Sequence, residues 1–428
     1  MSVPKEVLKQ IVSFNMPIDR LSMREITERV FRKVPLLLIP LAAAMLTACS
    51  TVGPPVLERA VLGYDETDAQ LSQQMVLLNI ARWRAGESPH LTVTSSIAAT
   101  FDWTARSGLG AQFEDSSGTD FFNIDMGVSA SENPTFSILP VKGQDYIERV
   151  IEPLDEDAFY VIAHQDYFAF DRLLRLLASG IEVHGPKGGL QRFIANSPQW
   201  AEEYIEFRRI ALHLHWLAEN RKLFIQPLIF EDMLFKDIAD RPKAEDLAKG
   251  INLGVTWRQK PDGRFQASKL TKGRVVITNY DPRDLSDEQR WALNGRIKRQ
   301  STSLVYLEIA PGYPGGDYPI RGGVRLRSFA GIIKFIAEGM EEFPEFDVEQ
   351  DPRTPTSGLA TDNPAATLAI EITESAPPNQ VPAVQYRGEY YGVADTKWDR
   401  RNFRIIGLLN QATVGDVEGI GIPVTISK

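Results

Sequence analysis

The feature that most constrains this chain is a strict alternation running from Leu91 to Phe113. Odd positions carry Leu91, Val93, Ile97, Phe101, Trp103, Leu109 and Phe113, while even positions are mostly Thr, Ser, Gly, Asp102, Arg106 and Gln112. In a strand successive side chains point to opposite faces, so this pattern gives one apolar and one polar face. It persists for about twenty residues, several times the usual strand length. After a polar turn at Glu114–Asp120 it resumes on even positions with Phe122, Ile124, Met126, Val128 and Ala130. Pairing residues whose numbers sum to 235 sets Phe113 against Phe122 and Ala111 against Ile124, so both apolar sets share a face. Residues 91–132 therefore read as one long amphipathic antiparallel β-hairpin.

Helical spacing dominates on both sides of it. A helix capped near Asp65–Thr67 runs to about Arg84, with Leu71, Met75, Leu78 and Ala81 in line. Short helices follow at Gln144–Ile151, Glu156–His164 and Tyr167–Ala178, then a longer one at Gln199–Lys222 with Tyr204, Phe207, Ala211, Leu214 and Leu217 along one side. From Leu223 the pattern becomes mixed. Leu223–Phe230 is a strand, Gly254–Lys269 a hairpin turning at Lys260-Pro261-Asp262-Gly263, and Arg274–Tyr280 and Ser303–Ile309 are strands flanking a helix at Asp287–Arg299 capped by Ser286. Helices at Phe329–Met340 and Arg400–Gln411, and strands at Ala365–Thr373, Ala383–Tyr386 and Glu389–Val393, complete the reading. The fold class is α+β: the long hairpin, then helices, then a mixed C-terminal half. Residues 65–230 form one region and 231–428 a second, the latter containing an acidic, Pro-rich segment at 341–364 expected to be exposed or partly disordered.

The single cysteine carries the strongest localising signal. Arg32 and Lys33 precede an apolar run from Val34 to Ala48 that ends in Leu46-Thr47-Ala48-Cys49. This is a basic region, a short apolar core and small residues before a cleavage point, the layout of an export signal. Fifteen residues are too few for a bilayer-spanning helix, which takes ~20, and Pro35 and Pro40 oppose helix formation. Leu46-Thr47-Ala48-Cys49 resembles the lipobox of bacterial lipoproteins. That resemblance implies that residues 1–48 are a signal peptide, that Cys49 is acylated with palmitate-like chains, and that residues 49–64 form a tether. Ser50 after the cysteine points to the outer membrane, on its periplasmic face. Translation from Met16 or Met23, in place of Met1, gives a signal of more usual length. Residues 1–48 carry a net charge of +3 and the remainder −12, so the body lacks the basic face that nucleic-acid binding needs.

Motifs for chemistry are sparse. His90, His164, His184, His213 and His215 include no pair at the spacing that sets two ligands on one helix face, and a lone cysteine excludes Cys-based zinc sites and internal disulfides. The chain has no Gly-x-Ser-x-Gly elbow and no phosphate loop ending in Lys-Ser/Thr; Gly108-Leu109-Gly110 and Gly419-Ile420-Gly421 lack the third glycine of a dinucleotide fingerprint. The acids at Glu152–Asp157 read as a helix N-terminus, where negative charge suits the dipole. No catalytic residue, metal ligand or cofactor is therefore expected. The one candidate site is a partner-binding loop, Pro311–Gly323, in which Tyr313, Asp317, Tyr318 and Arg321 stand among glycines and prolines.

Three further segments, Pro134-Thr135-Phe136 through Gly143-Gln144, Phe170-Asp171-Arg172-Leu173-Leu174-Arg175-Leu176, and Arg325-Leu326-Arg327-Ser328-Phe329-Ala330-Gly331-Ile332, resemble a family of uncharacterised bacterial lipoproteins across most of the mature chain. The resemblance implies a coherent exported protein and carries no activity. The expected function is that of a non-enzymatic envelope lipoprotein acting through contact with an envelope protein, in assembly, export or surface maintenance. One alternative is a subunit of an oligomeric outer-membrane pore or secretion channel built from the hairpin, as a homo-oligomer resembling the curli-secretion lipoprotein. Another is a hydrolase of envelope polymers whose site is scattered along the sequence; a pocket gathering acids or histidines is what that alternative requires.

Overall fold

The computed structural model describes residues 58–59, 61–112, 121–165, 169–185, 188–355, 363–377 and 382–414, and for 93–139 the backbone alone. The lipobox, the hairpin's polar turn and the side chains that define its register lie outside the described residues.

The elements follow in order. Helix α1 spans 61–84. Strands β1 (Thr92–Gln112) and β2 (Phe121–Pro140) come next, then α2 (Gln144–Tyr146), which continues as a π-helical turn, α3 (Glu156–Gln165) and α4 (Phe170–Leu177). Then come β3 (Ala178–His184), β4 (Leu190–Ala195), α5 (Ala201–Glu219), β5 (Phe224–Ile238), α6 (Ala244–Asn252), β6 (Val255–Gln259), β7 (Phe265–Thr278) and α7 (Asp287–Ile297). Last are β8 (Leu304–Ile309), β9 (Ile320–Leu326), α8 (Phe329–Glu341), β10 (Ile370–Thr373), β11 (Ala383–Tyr386), β12 (Glu389–Val393) and α9 (Lys397–Val414). The fold is α+β. Two compact units divide the chain: β1 and β2 belong to one, in which they form a two-stranded sheet, and residues 70–93 and 140–420 form the other. This division differs from a boundary at 230/231, which would cut β5 in its middle.

The second unit is built on a seven-stranded sheet of order β4-β3-β9-β8-β7-β5, antiparallel except for the β7–β8 pair, with β6 added alongside β7. One face carries Ile181, Val324, Val305, Leu307, Ile309 and Ile277 into the main core, where they meet α4, α5 and α8. Tyr204, Phe207, Ala211, Leu214 and Leu217 of α5 are all fully buried, as their helical spacing predicts. The opposite face packs Leu228, Phe230, Val276 and Tyr306 against Leu293 and Ile297 of α7. Helix α7 starts where the sequence placed it: Ser286 accepts from the Gln289 amide and the Gln289 side chain returns to the Ser286 amide. A small antiparallel sheet, β10-β12-β11, accompanies α9, and its tight turn at Arg387-Gly388 is the expected one.

Four elements have no counterpart in the sequence reading: β3, β4, β9 and α6. Helix α4 passes into β3 without a loop, Ala178 already being extended. The abrupt switch holds because the last carbonyls of α4 have side-chain donors. Arg327 gives hydrogen bonds to the carbonyls of Arg175 (2.9 Å), Leu176 (3.1 Å) and Asn196 (2.7 Å), and the Asn196 amide gives bonds to Arg175 O (2.9 Å) and Ala178 O (2.8 Å). A cation at a helix C-terminus also suits the dipole. Every residue of α4 is buried, including Asp171, Arg172 and Arg175.

Most described residues of the acidic segment after α8 are exposed, among them Glu341, Glu342, Asp347, Glu349 and Gln350. The Glu345 side chain turns inward, where it accepts from Tyr204 Oη (2.8 Å) and Thr367 Oγ1 (2.7 Å) and faces Arg175 at 3.6 Å. Arg175 itself donates to Thr367 Oγ1 (3.0 Å) and Ala365 O (2.6 Å), and Arg208 reaches Asn363 Oδ1 (2.6 Å) and Ala365 O (3.2 Å). Glu345 gives the buried Arg175 guanidinium a carboxylate partner, and burying a guanidinium unpaired is costly.

Replacing Arg327 with Met, similar in length and apolar, should leave the carbonyls of Leu176 and Asn196 without their side-chain donor, while Arg175 O keeps the Asn196 amide. At ~1–3 kcal/mol for each unmet buried group, we expect a loss of about 2–5 kcal/mol. A lowered midpoint in urea unfolding of the Arg327→Met variant, at unchanged slope, is the measurement.

Candidate functional site

Two adjoining hollows open at one end of the central sheet, where β3, β4, β8 and β9 meet α5 and the last turn of α7. Both are lined by His184 and Arg321. The larger, about 430 Å³, adds Arg192, Glu206, Glu308, Tyr318 and Arg353. The smaller, about 270 Å³, adds Arg296, Gln300 and Tyr306.

The sheet register sets the charged residues. Glu308 and Arg321 are direct cross-strand partners on β8 and β9. Arg321 donates Nε (2.9 Å) and Nη2 (2.7 Å) to one oxygen of Glu308, and the Tyr280 hydroxyl donates to the other at 2.8 Å. On β3, Glu182 pairs across to Gly323 and accepts from Arg325 Nε at 3.0 Å. His184 Nε2 lies 3.2 Å from the second Glu182 oxygen. Burial alone would raise the Glu182 carboxyl, but the bonds from Arg325 and His184 outweigh it and hold the group below its usual range. Tyr306, buried beside Glu308, is pushed up to about 12, burial being the larger cause and the carboxylate the next.

Close approach of β9 to β3 depends on glycine. A Cβ at position 322 would lie 1.7 Å from the Glu182 carbonyl oxygen, so no other residue fits there without moving β3. A Gly322→Ala change should therefore break the His184–Arg321 juxtaposition as well as destabilise the sheet. We expect a lower melting temperature and changed His184 ring chemical shifts, read together by calorimetry and NMR.

The four loop residues singled out by sequence part company. Tyr313 is half-exposed with its ring 5.3 Å from that of Tyr280. Asp317 is exposed and lines neither hollow. Tyr318 is buried, its ring 3.7 Å beneath the Arg353 guanidinium and 5.3 Å from the His213 ring. Arg321 is not in the loop but on β9, which begins at Ile320, correcting the reading of Pro311–Gly323 as loop throughout. Tyr318 and Arg321 thus meet in the larger hollow while Tyr313 and Asp317 stay outside it. Sequence reasoning missed His184, Arg192, Glu206, Glu308 and Arg353, which come from distant elements and share no local motif.

The hollow does gather a histidine and acids, but each described acid is already engaged. Glu206 is clasped by Arg192, with Nη1 at 2.6 Å, and Glu308 and Glu182 are held as above. Charge pairs of this kind suit recognition of a polar surface more than proton transfer. Among the described residues no group of three or more His, Asp or Glu side chains is placed to hold a metal.

The loop itself is pinned from beneath by His213, which is fully buried on α5. Its Nε2 is 3.0 Å from Gly315 O and its Nδ1 is 2.9 Å from Thr354 Oγ1, so one imidazole ties both the 311–319 loop and the acidic segment to the core. Burial lowers the His213 pKa below its ordinary 6.5. The unfolded chain therefore binds a proton more readily, so this contribution to stability is full above pH about 6.5 and is lost as pH falls toward the depressed folded value. Thermal melts from pH 7.5 to 5 should show the wild-type chain losing stability faster than His213→Gln, which starts lower and responds less.

No protein-family profile, curated protein or solved structure matches this chain.

Proposed function

We propose that this chain is a lipid-anchored envelope protein, acylated at Cys49 and held on the periplasmic face of the outer membrane, that works by gripping a protein partner. The observation that carries the proposal is Leu46-Thr47-Ala48-Cys49, placed directly after a short apolar run with basic residues upstream. Two acyl chains at that cysteine would contribute ~0.8 kcal/mol per buried CH₂, enough for stable anchoring. The body then acts within reach of a tether that begins at Cys49. The larger hollow supports a role in contact: guanidinium–carboxylate pairs at its rim, Tyr318 in its wall and Tyr313 half-exposed on the adjacent loop have the composition of a protein-recognition surface.

Two measurements test this. Cys49→Ala should abolish processing and release the protein from washed membranes; equal retention would remove the anchor from the account. Cross-linking in membranes with the anchor intact should capture one specific envelope protein, and Arg321→Glu, which inverts charge against Glu308, should reduce that capture at least tenfold. Capture unaltered by Arg321→Glu moves the contact elsewhere on the molecule.

A second reading is favoured by the length of the β1–β2 ribbon, 21 and 20 residues, and by its standing in a separate compact unit. A transmembrane strand needs ~9–11 residues, so each strand exceeds one crossing. Alternation of this kind in copies of the chain would close a shared barrel. A discrete ring in mild detergent, seen by native mass spectrometry, would select this reading, and a monomer would exclude it.

A further inference from the structure

The smaller hollow has a charge pattern that partner contact does not require. Arg296, Arg321 and His184 line it together with Gln300, Tyr306 and Gly185, and no carboxylate is among its lining residues. The acids stand behind the donors. Glu308 takes Nε and Nη2 of Arg321, and Glu182 takes Nε2 of His184. That bonding fixes each cationic or donor group from its far side and leaves Arg321 Nη1 and His184 Nδ1 without a partner among the described residues. Arg296, in the last turn of α7, enters no ion pair with a described residue. Its charge reaches the Tyr306 and Tyr280 phenols, partly offsetting the upward push that burial gives both. Carboxylate-held guanidinium and imidazole groups are the usual way a protein aims donors at an anion while paying little ordering entropy on binding. The glycine turn between β3 and β4, closed by bonds from Gly185 N to Gly189 O (2.9 Å) and Gly188 N to Gly185 O (2.8 Å), brings no bulky side chain at Gly185 or Gly188 to the rim.

We infer that this hollow binds the phosphate group of a phosphate ester, with Arg296 and Arg321 on its oxygens and His184 as a third donor. Donors arriving from α7, β9 and β3 suit a tetrahedral group better than a planar carboxylate. A volume of about 270 Å³ holds a phosphate with a glycerol or sugar-sized remainder. Glu308 bonds Arg321, and Glu182 bonds Arg325 and His184, so both acids orient the donors. The inference needs neither the lipid anchor nor a protein partner.

The same phosphate can be offered in solution or on a membrane headgroup, and the test separates them. The mature chain carrying Cys49→Ala, and so without acyl chains, is titrated with glycerol 3-phosphate, followed by phosphorus NMR line broadening, and in parallel with phosphatidylcholine vesicles with and without phosphatidic acid, followed by sedimentation. Saturable binding of glycerol 3-phosphate is expected, weakened at least tenfold by Arg296→Gln and unaltered by Lys298→Gln, an exposed neighbour on the same helix end. Arg296 has no described protein partner, so its replacement leaves the fold intact, which circular dichroism checks. Added sedimentation with phosphatidic acid, lost in Arg296→Gln, identifies a headgroup; binding in solution alone identifies a soluble ester. Absence of saturation in both arms, equal weakening by Lys298→Gln, or equal displacement by acetate overturns the inference.

Discussion

The second unit depends on what happens at the end of α4. A fully buried helix turns into the second strand of the sheet with no intervening loop, which leaves its last carbonyls facing a region that water does not reach. From β9's far end the Arg327 side chain meets two of them, those of Arg175 and Leu176, and from the end of β4 the Asn196 amide meets that of Arg175 and the Ala178 carbonyl just beyond. The Phe335 ring lies 3.8 Å from the same guanidinium, so the charge is sandwiched between peptide dipoles and a π-face, with no carboxylate among the described residues bonded to it. The helix, β3, β4 and β9 are thereby locked at one point, and the register that brings Glu182 opposite Gly323 and Glu308 opposite Arg321 follows from that lock.

Two segments singled out in the sequence, Phe170–Leu176 and Arg325–Ile332, gain a physical meaning here. Arg172 and Arg175 come from one of them and Arg327 from another, and all three guanidiniums are buried. Arg172 and Arg175 also lie over Trp398, at 5.3 and 5.2 Å. Such residues hold a core in place. They say little about what the surface does, and the candidate site lies on other residues.

What was legible in the sequence was whatever repeats locally. The paired strands β1 and β2 follow from period-2 alternation, α5 from its apolar stripe, and α7 from Ser286 and Gln289 three apart. Strands β3 and β4 were hidden because Leu173–Leu177 continues the helical pattern to the residue before the switch, and Gly180 weakens the strand signal. Helix α6 is short and carries Gly250, which lets it lie close against Trp257, so propensity argued against it. Strand β5 runs well past Phe230 because β7 pairs with it across three bulges, which no local pattern announces. The burial of Glu345 was illegible for a plainer reason: its partners Arg175 and Tyr204 stand more than 140 residues away, and charge in a Pro-rich stretch otherwise signals solvent. The same distance conceals the candidate site, assembled from β3, β4, α5, α7, β8, β9 and the acidic segment.

That distance also sets an order of events on the ribosome and after it. Arg175 and Arg208 are made early, but their acceptors Glu345, Asn363, Ala365 and Thr367 emerge only when most of the chain has been synthesised. Until then any compact arrangement of α4 and α5 must leave guanidiniums either hydrated at a surface or unpaired in an interior, and only the first is affordable. The full burial of α4 and α5 is therefore completed only once those late acceptors are present to receive Arg175 and Arg208.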